Sequence, residues 1–511
     1  MRKHQQKQIL ELLSMLGEAQ SKGQYADCQE GTIGIGEFIE QIEGEGTQTV
    51  ALLEEYYELL FKASNGEIGE KQLRRHVIKI ENSVKNELKP NRIEMAFLSY
   101  KASMSDSLES IYLAAKADPN CDAFWIPIPY YDRKPDRSFA TMHYEGPECY
   151  GADFECTDWQ SYDIETRRPD AIFTFNPYDA GNLVTSVHPD FYCERLRNFT
   201  EMLVYVPYFV SGDNVVGHFC TLAGCVFAHK TMLQSEKTRD YYIREFKNAY
   251  ADRYGKAEEK FVALGSPKFD KIINSKRDSF TLPDEWVKII SDRKVVFYNS
   301  SVGAILAGNE KYLHKVKHVM KTFRERDDVV LWWRPHPLNE ATYASMRPLL
   351  FGEYERIVEE YQTAKWGIFD DTVDLHRAIT FSDAYYGDVS SLLMMYAATG
   401  KPVLVQNIDV LQELQIQPTF MQSDEAIRFQ AHGMLTKTAS DDELSLLHLV
   451  IVETDMFTLS SVVASILNED KNHIANVHME VSKLLKEWIS ACDGKAGESI
   501  YAYIKNALKF L

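Results

Sequence analysis

Three short stretches carry residue types that can grip a phosphate. The first is Asp388-Val389-Ser390-Ser391, which follows the apolar-aromatic run 383–386 and Gly387. It reads as strand, tight turn and helix. Asp388 is then an N-cap, and Val389, Ser390 and Ser391 form the first helical turn. Leu392, Leu393, Met395, Tyr396 and Thr399 recur at helical spacing, Gly400 ends the helix, and 402–405 starts the next strand. A helix that begins straight after a parallel strand aims unpaired N–H groups, and the positive end of its dipole, at the crevice above the sheet. The serine hydroxyls add donors there. The same residues also suit a plain helix cap.

The second stretch is Arg334-Pro335-His336-Pro337, after the apolar run 329–333. Two prolines stiffen the turn and fix where Arg334 and His336 point. Arginine offers a planar fork for phosphate oxygens. Histidine can donate to a departing phosphate or carry a proton. The plainer reading pairs Arg334 with an acid such as Asp370 and leaves His336 as a turn residue. The third stretch is Ser300, Ser301 and Gly303, after the strand 295–298. Asp370 and Asp371 precede a helix and suit caps better than ribose ligands. In the first half, His218 is the best-placed base, with Asp213 and Tyr208 competing, and His188 reads as structural. No carboxylate cluster, HExxH or His/Cys set suggests a metal, and no GxGxxG or Walker pattern suggests a dinucleotide or P-loop. No cofactor and no metal are therefore expected.

The elements that must position these residues are bounded by the totals. With 511 residues the chain is too long for one ordinary core, and two or three domains are expected. A net charge of −19 argues against nucleic acid as a main partner and against a broad grip on anionic lipid, leaving room for a local basic patch. No apolar run reaches the length of a membrane span. The start, MRKHQQKQILELL, lacks the long apolar core of a secretory signal. The eight cysteines form no CxxC pair, which suits free thiols in a reducing cytoplasm.

Along the chain, 1–90 reads as a helical module with breaks at 31–36 and 44–46, either for docking and oligomerisation or as a cap on the neighbouring domain. An α/β rhythm then runs over 91–260, with strands at 93–99, 123–129, 169–176, 203–210 and 261–265 and an irregular stretch at 130–163. A second α/β rhythm occupies 261–425, and a C-terminal helical segment 426–511, with helices at 441–452, 458–467, 472–489 and 498–510. Two successive α/β domains place ligands at the carboxyl ends of their strands, in a cleft between them. The three polar stretches all fall at such strand ends in the second domain.

RPHP, followed by SDAYYGDVSSLLMMYAATGKPV, resembles the CDP-glycerol glycerophosphotransferase family of wall teichoic acid polymerases and primases. GSPKFD at 265–270 is similar to the family's interdomain segment. The resemblance spans about 200–406 and is carried mostly by its second half. It implies a GT-B fold: α/β, two facing Rossmann-like domains, here with added helices at both ends. It implies transfer of glycerol phosphate from CDP-glycerol to a hydroxyl of a polymer or lipid-linked acceptor, with release of CMP. By the same resemblance, Arg334 and His336 bind the donor phosphates, and Asp388, Ser390 and Ser391 belong to the phosphate-binding helix. The family has a His-Gly pair after a first-domain strand; here that region reads VPYFVSGD, so the base falls outside the match and His218 stands in for it. A cytoplasmic enzyme, peripheral at the inner face of the membrane and self-associating, fits this reading. A nucleotide-sugar glycosyltransferase or epimerase-like enzyme, and a non-catalytic GT-B scaffold, are the alternatives.

Overall fold

The computed structural model describes residues 1–134, 136–182, 184–211, 217–372, 374–388, 390–406, 408, 451–452, 459 and 493–510. The first 86 residues form helices Lys3–Ser21, Tyr25–Glu43, Gln48–Ser64 and Glu70–Asn86. Apolar residues three and four apart, such as Ile9, Leu13 and Leu16 or Leu73, Val77, Ile80 and Val84, close one shared core. The expected break at 31–36 does not occur. Helix Tyr25–Glu43 runs through those glycines and stops at Gly44, whose φ is 83°. A Cβ on Gly31 would lie 2.8 Å from Leu16 Cδ2, so close helix packing outweighs the weak helix propensity of glycine. Arg2 anchors the bundle to the next unit, donating to the carbonyls of Arg167 and Arg168 and lying 3.4 Å from the buried Glu94 carboxylate.

The first α/β unit contains β1 (Ile93–Ser99), β2 (Cys121–Pro127), β3 (Tyr130–Arg133), β4 (Phe139–His143), β5 (Ala171–Thr174), β6 (Thr185–Val187), β7 (Met202–Tyr205), β8 (Lys230–Leu233) and β9 (Phe261–Ala263). Six of them make a parallel sheet in the order β2-β1-β5-β7-β8-β9. The stretch expected to be irregular, 130–163, instead holds β3 and β4, which join β6 in a small antiparallel sheet. The strand expected over 203–210 ends at Tyr205, two residues before Pro207, which has no N–H for a ladder.

The second unit contains β10 (Lys294–Ser300), β11 (Val329–Pro335), β12 (Ile368–Phe369), β13 (Ala384–Gly387), β14 (Val403–Val405) and β15 (Ile451–Val452), all parallel, in the order β12-β11-β10-β13-β14-β15. Every residue of β11 is buried, as a strand covered on both faces requires. Of the helix expected at 441–452, only 451 and 452 lie among the described residues, and there Ile451 and Val452 form β15 by pairing with Leu404 and Val405. The helices expected at 458–467 and 472–489 lie outside the described residues apart from Leu459. The last helix, Ala496–Phe510, is observed, and its Ile500, Tyr501, Ile504 and Leu508 enter the core of the first sheet.

In each sheet the chain first builds strands to one side and then crosses to the other. That reversal falls between β1 and β5 in the first sheet and between β10 and β13 in the second. At such points the loops at the carboxyl ends diverge and leave a crevice. Between the sheets runs the helix Pro267–Asn274. Its Lys268 ammonium lies 2.6 Å from the Asp106 carboxylate, in the turn after β1, and His376 Nε2 lies 3.0 Å from the other oxygen of that carboxylate. All three residues are buried. Burial alone would raise the Asp106 carboxyl, but the Lys268 charge and the bonds from His376 and Lys268 hold it well below the usual carboxylate range.

A depressed carboxyl contributes stability that is present above its unfolded pKa of about 4 and lost as pH falls. Asp106→Asn should cost about 3–5 kcal/mol at pH 7 by stranding Lys268 in the interior. In chemical denaturation measured from pH 7 to pH 3, the gap between variant and wild type should narrow toward acid. A gap that is constant with pH would contradict the assignment.

Candidate functional site

The site is built on three adjacent strands. In the second sheet Asn299 is in register with Arg334 on one side and with Gly387 on the other, so all three stand in one row at the carboxyl edge. Two strand spacings separate the outer pair by about 10 Å. Gly387 has φ 152°, and a Cβ there would lie 2.3 Å from the Asn299 carbonyl oxygen. Glycine is required because the backbones touch. Asn299 Nδ2 donates to Ser390 Oγ and to the Tyr385 hydroxyl, both at 3.2 Å.

Asp388 does not cap the next helix. That helix runs Ser391–Ala397, with Ser390 at the N-cap position and no capping bond from its side chain. The Asp388 carboxylate turns inward, where it accepts from the Ser301 N–H at 2.7 Å, the Tyr312 hydroxyl at 2.6 Å and Gln406 Nε2 at 2.7 Å. Burial pushes its carboxyl up, and those three donors pull it back. Asp388 is thus a bracket joining the loops after β10, β13 and β14. Ser300 is similarly engaged: its hydroxyl meets Trp333 Nε1 at 3.2 Å and Asn339 Nδ2 at 3.1 Å. Ser301 caps the helix Val302–Gly308 through the Ala304 N–H. Ser390 is half-buried and Ser391 exposed. With seven residues, the helix after Ser390 has a shorter dipole than the expected one.

The Arg334 fork is bound by the protein. Its Nη1 lies 3.0 Å from the Asp370 carboxylate, and its Nη2 donates to the Thr372 carbonyl. Asp370, fully buried, also accepts from Trp332 Nε1 and from the Thr372 N–H and hydroxyl. It caps no helix, and with Arg334 and Thr372 it forms the floor of the cleft beside His336. His336 projects outward. Its N–H donates to the Ser300 carbonyl, and its Nδ1 accepts from the Leu338 N–H, which leaves the proton on Nε2, facing out of the turn. Burial lowers its pKa, so it is neutral at pH 7. Beside it opens a cleft of about 490 Å³, shared with Glu340, Glu355, Glu359 and Asp371. The serines do not line this cleft, so the edge has an acidic side at His336 and a hydroxyl-rich side at Ser390.

In the first unit, His218 lies on a short turn of 3-10 helix, Gly217–Thr221, exposed and stacked on Phe219 with ring centres 4.6 Å apart. No carboxylate approaches its ring among the described residues. Asp213 lies outside those residues. His188 caps a turn by accepting from the Asp190 N–H, and the Tyr208 hydroxyl is paired with Tyr178 at 2.8 Å. Sequence reasoning missed Asn299 and the Lys268-Asp106-His376 group. Asn299 left a signal, a polar residue inside an otherwise apolar buried strand; the other three lie on separate elements and left none.

Two facing parallel sheets of the Rossmann type, joined by a short helix and closed by a C-terminal helix that returns to the first, define a GT-B-type architecture. Residues 223–414 match the model of the CDP-Glycerol:Poly(glycerophosphate) glycerophosphotransferase family, a stretch that includes Asn299, Arg334, His336 and the Asp388–Ser391 turn. No curated protein matches the sequence. Among solved structures, the wall teichoic acid polymerase TagF is similar over 91% of this chain and 98% of its own, at 11% identity and a TM-score of 0.47. MnaA of S. aureus, solved with UDP, is similar over 82% and 98%, at 13% identity and a TM-score of 0.46. A UDP-N-acetylglucosamine 2-epimerase gives 82% and 97%, 12% and 0.46. Among the described residues, no helix is long and apolar enough to cross a membrane.

Gly387→Ala should destabilise the protein by about 2–4 kcal/mol through backbone strain and overlap with Asn299. Ser300→Ala should cost about 1–3 kcal/mol by leaving buried donors without an acceptor. Ser391→Ala should stay within about 0.5 kcal/mol of wild type, as an exposed residue does. Thermal and urea unfolding of the three variants would test this ranking.

Proposed function

We propose that the chain transfers glycerol phosphate from CDP-glycerol to a terminal hydroxyl of a poly(glycerophosphate)-type surface polymer, releasing CMP. The observation that carries this reading is the family match over 223–414, which takes in the whole polar edge of the second sheet. The donor lies along that edge. Ser390 and Ser391, with the first free N–H groups of the helix Ser391–Ala397, take the phosphate oxygens. His336 offers its Nε2–H to the leaving phosphate. Arg334 acts from behind, its positive charge fixed in place by Asp370 and aimed along the strand. The groups are held before the donor arrives, so little reorganisation is needed as charge builds on the departing CMP. The acceptor enters from the side of the first sheet. Acting on a surface polymer places the enzyme at the inner face of the membrane, bound peripherally.

The test is direct. CDP-glycerol at about one hundred times its Kd should stabilise the protein by about 2.7 kcal/mol, read as a rise in melting temperature, and UDP-N-acetylglucosamine should not. With a synthetic poly(glycerophosphate) primer, CMP should appear in step with primer extension. Ser391→Ala should weaken CDP-glycerol binding about threefold to tenfold, the worth of one hydroxyl contact. A response to UDP-sugars with none to CDP-glycerol would overturn the proposal.

A further inference from the structure

The switch point of the first sheet carries a buried aromatic cluster that the donor site does not use. Tyr100 comes directly after β1 and Phe175 directly after β5, with ring centres 5.1 Å apart, and Tyr130 at the start of β3 lies 5.8 Å from Tyr100. Strands β3 and β4 pair Tyr130 with His143, whose rings stack at 5.1 Å and 23°. Asp132 is two residues beyond Tyr130 and shares its face of the strand, so it reaches His143 diagonally. Its Oδ2 lies 2.6 Å from His143 Nε2. A carboxylate accepting the Nε2–H leaves the lone pair on Nδ1, which has no partner among the described residues. The two side chains are 38% and 47% exposed, open to a substrate yet held in place.

The dyad is tied to the wall between the sheets. Glu145, two residues past His143, accepts from the Ala102 N–H at 2.7 Å and from the Tyr130 hydroxyl at 3.3 Å. Ala102 opens the turn that contains Asp106, the residue gripped by Lys268 and His376 from the second unit's side. The Lys101 ammonium lies 5.0 Å from the centre of the Tyr130 ring, with no carboxylate partner among the described residues. The rings of Tyr100, Tyr130 and Phe175 are buried and serve as the support, while the Lys101 ammonium and the oriented imidazole stand beside them at one strand end. The two suit the end of an anionic polyol chain, with Lys101 for its last phosphate and His143 for its hydroxyl.

The geometry points to His143 as the general base of the transfer, oriented by Asp132 and supported by the Tyr130 ring, with Lys101 holding the acceptor; this rests on the transfer reading above. Nδ1 takes the proton of the acceptor hydroxyl while that oxygen attacks the glycerol-bearing phosphorus of CDP-glycerol. One P–O bond forms. The bridging P–O bond to the cytidylyl phosphate breaks, and its electron pair leaves with CMP. The imidazolium is stabilised by Asp132 and returns its proton to solvent. Asp132 and Tyr130 from β3 contact the His143 ring, and Glu145 and Lys101 contact Tyr130 in turn. His218, by contrast, has an aromatic neighbour and no orienting carboxylate among the described residues.

The experiment compares His143→Ala, Asp132→Asn and His218→Ala in CMP release from CDP-glycerol with the synthetic primer. His143→Ala should lower kcat at least about 100-fold, the usual span of general-base catalysis. It should leave the KM for CDP-glycerol unchanged, erase the acidic limb of the pH profile, and regain activity with added imidazole. Asp132→Asn should give a smaller loss and a shifted acidic limb. His218→Ala should lower kcat less than His143→Ala does. Melting curves with and without CDP-glycerol establish that each variant folds and binds donor. Wild-type kcat and pH profile in His143→Ala would overturn the assignment, as would a loss that imidazole does not restore. Absence of CMP release by the wild type would instead sink the transfer reading, and this inference with it.

Discussion

The buried carboxylate of Asp106 is the interaction on which the arrangement of the two sheets depends. It belongs to the loop after β1, and it is held by Lys268 of the intervening helix and His376 of the second unit. A charge in the interior is tolerated only with its counter-charge and hydrogen bonds in place, so displacing any of the three elements strands an ion. The same helix is fastened on other sides. Lys271 pairs with Glu109, and Asp270 accepts from Ser110 and from the N–H groups of Ala496 and Gly497. Eight residues, Pro267–Asn274, therefore fix the first sheet, the second sheet and the returning C-terminal helix relative to one another.

That fixation joins the turn after β1 in the first sheet to the second unit, whose polar groups collect at the carboxyl edge of its own sheet. Within the second edge, much of the polarity holds the edge itself together. Asp388, Ser300, Ser301 and Asp370 are buried and bonded to protein, and Arg334 is tied to Asp370. Buried polar groups of this kind must be fully paired, and once paired they are rigid. The groups left facing outward, His336 Nε2 and the hydroxyls of Ser390 and Ser391, are few and stand on a stiff frame. Rigid support with few free donors is what stabilising developing charge requires.

The first sheet works by another logic. Its edge is aromatic, with Tyr100, Tyr130, Phe175, Tyr178 and Tyr208 at successive strand ends. Tyr100, Tyr130 and Phe175 are buried, so their rings pack on one another and stiffen this edge with little charge. The small sheet of β3, β4 and β6 grows out of this edge and places His143 and Asp132 beside it.

Local pattern was enough for much of the fold. The apolar runs of β10, β11 and β13, the turn at Gly387 and the strand-end positions of Ser300, Arg334 and Ser390 are all legible in the order of residues, because alternation, helical spacing and turn chemistry act over a few positions. Composition argued against nucleic acid as a main partner, and the RPHP and DVSS stretches resembled the glycerophosphotransferase family whose model matches 223–414. Other features depended on distance in space. The glycines at 31–36 stay helical because Leu16 packs on Gly31; Asp388 turns inward because Ser301, Tyr312 and Gln406 meet it; β15 forms because β14 offers it an edge. Which side chains face a ligand and which hold the frame was decided by tertiary structure alone. A carboxylate reads the same in sequence whether it caps, binds or braces, and its role is set by donors that lie tens to hundreds of residues away.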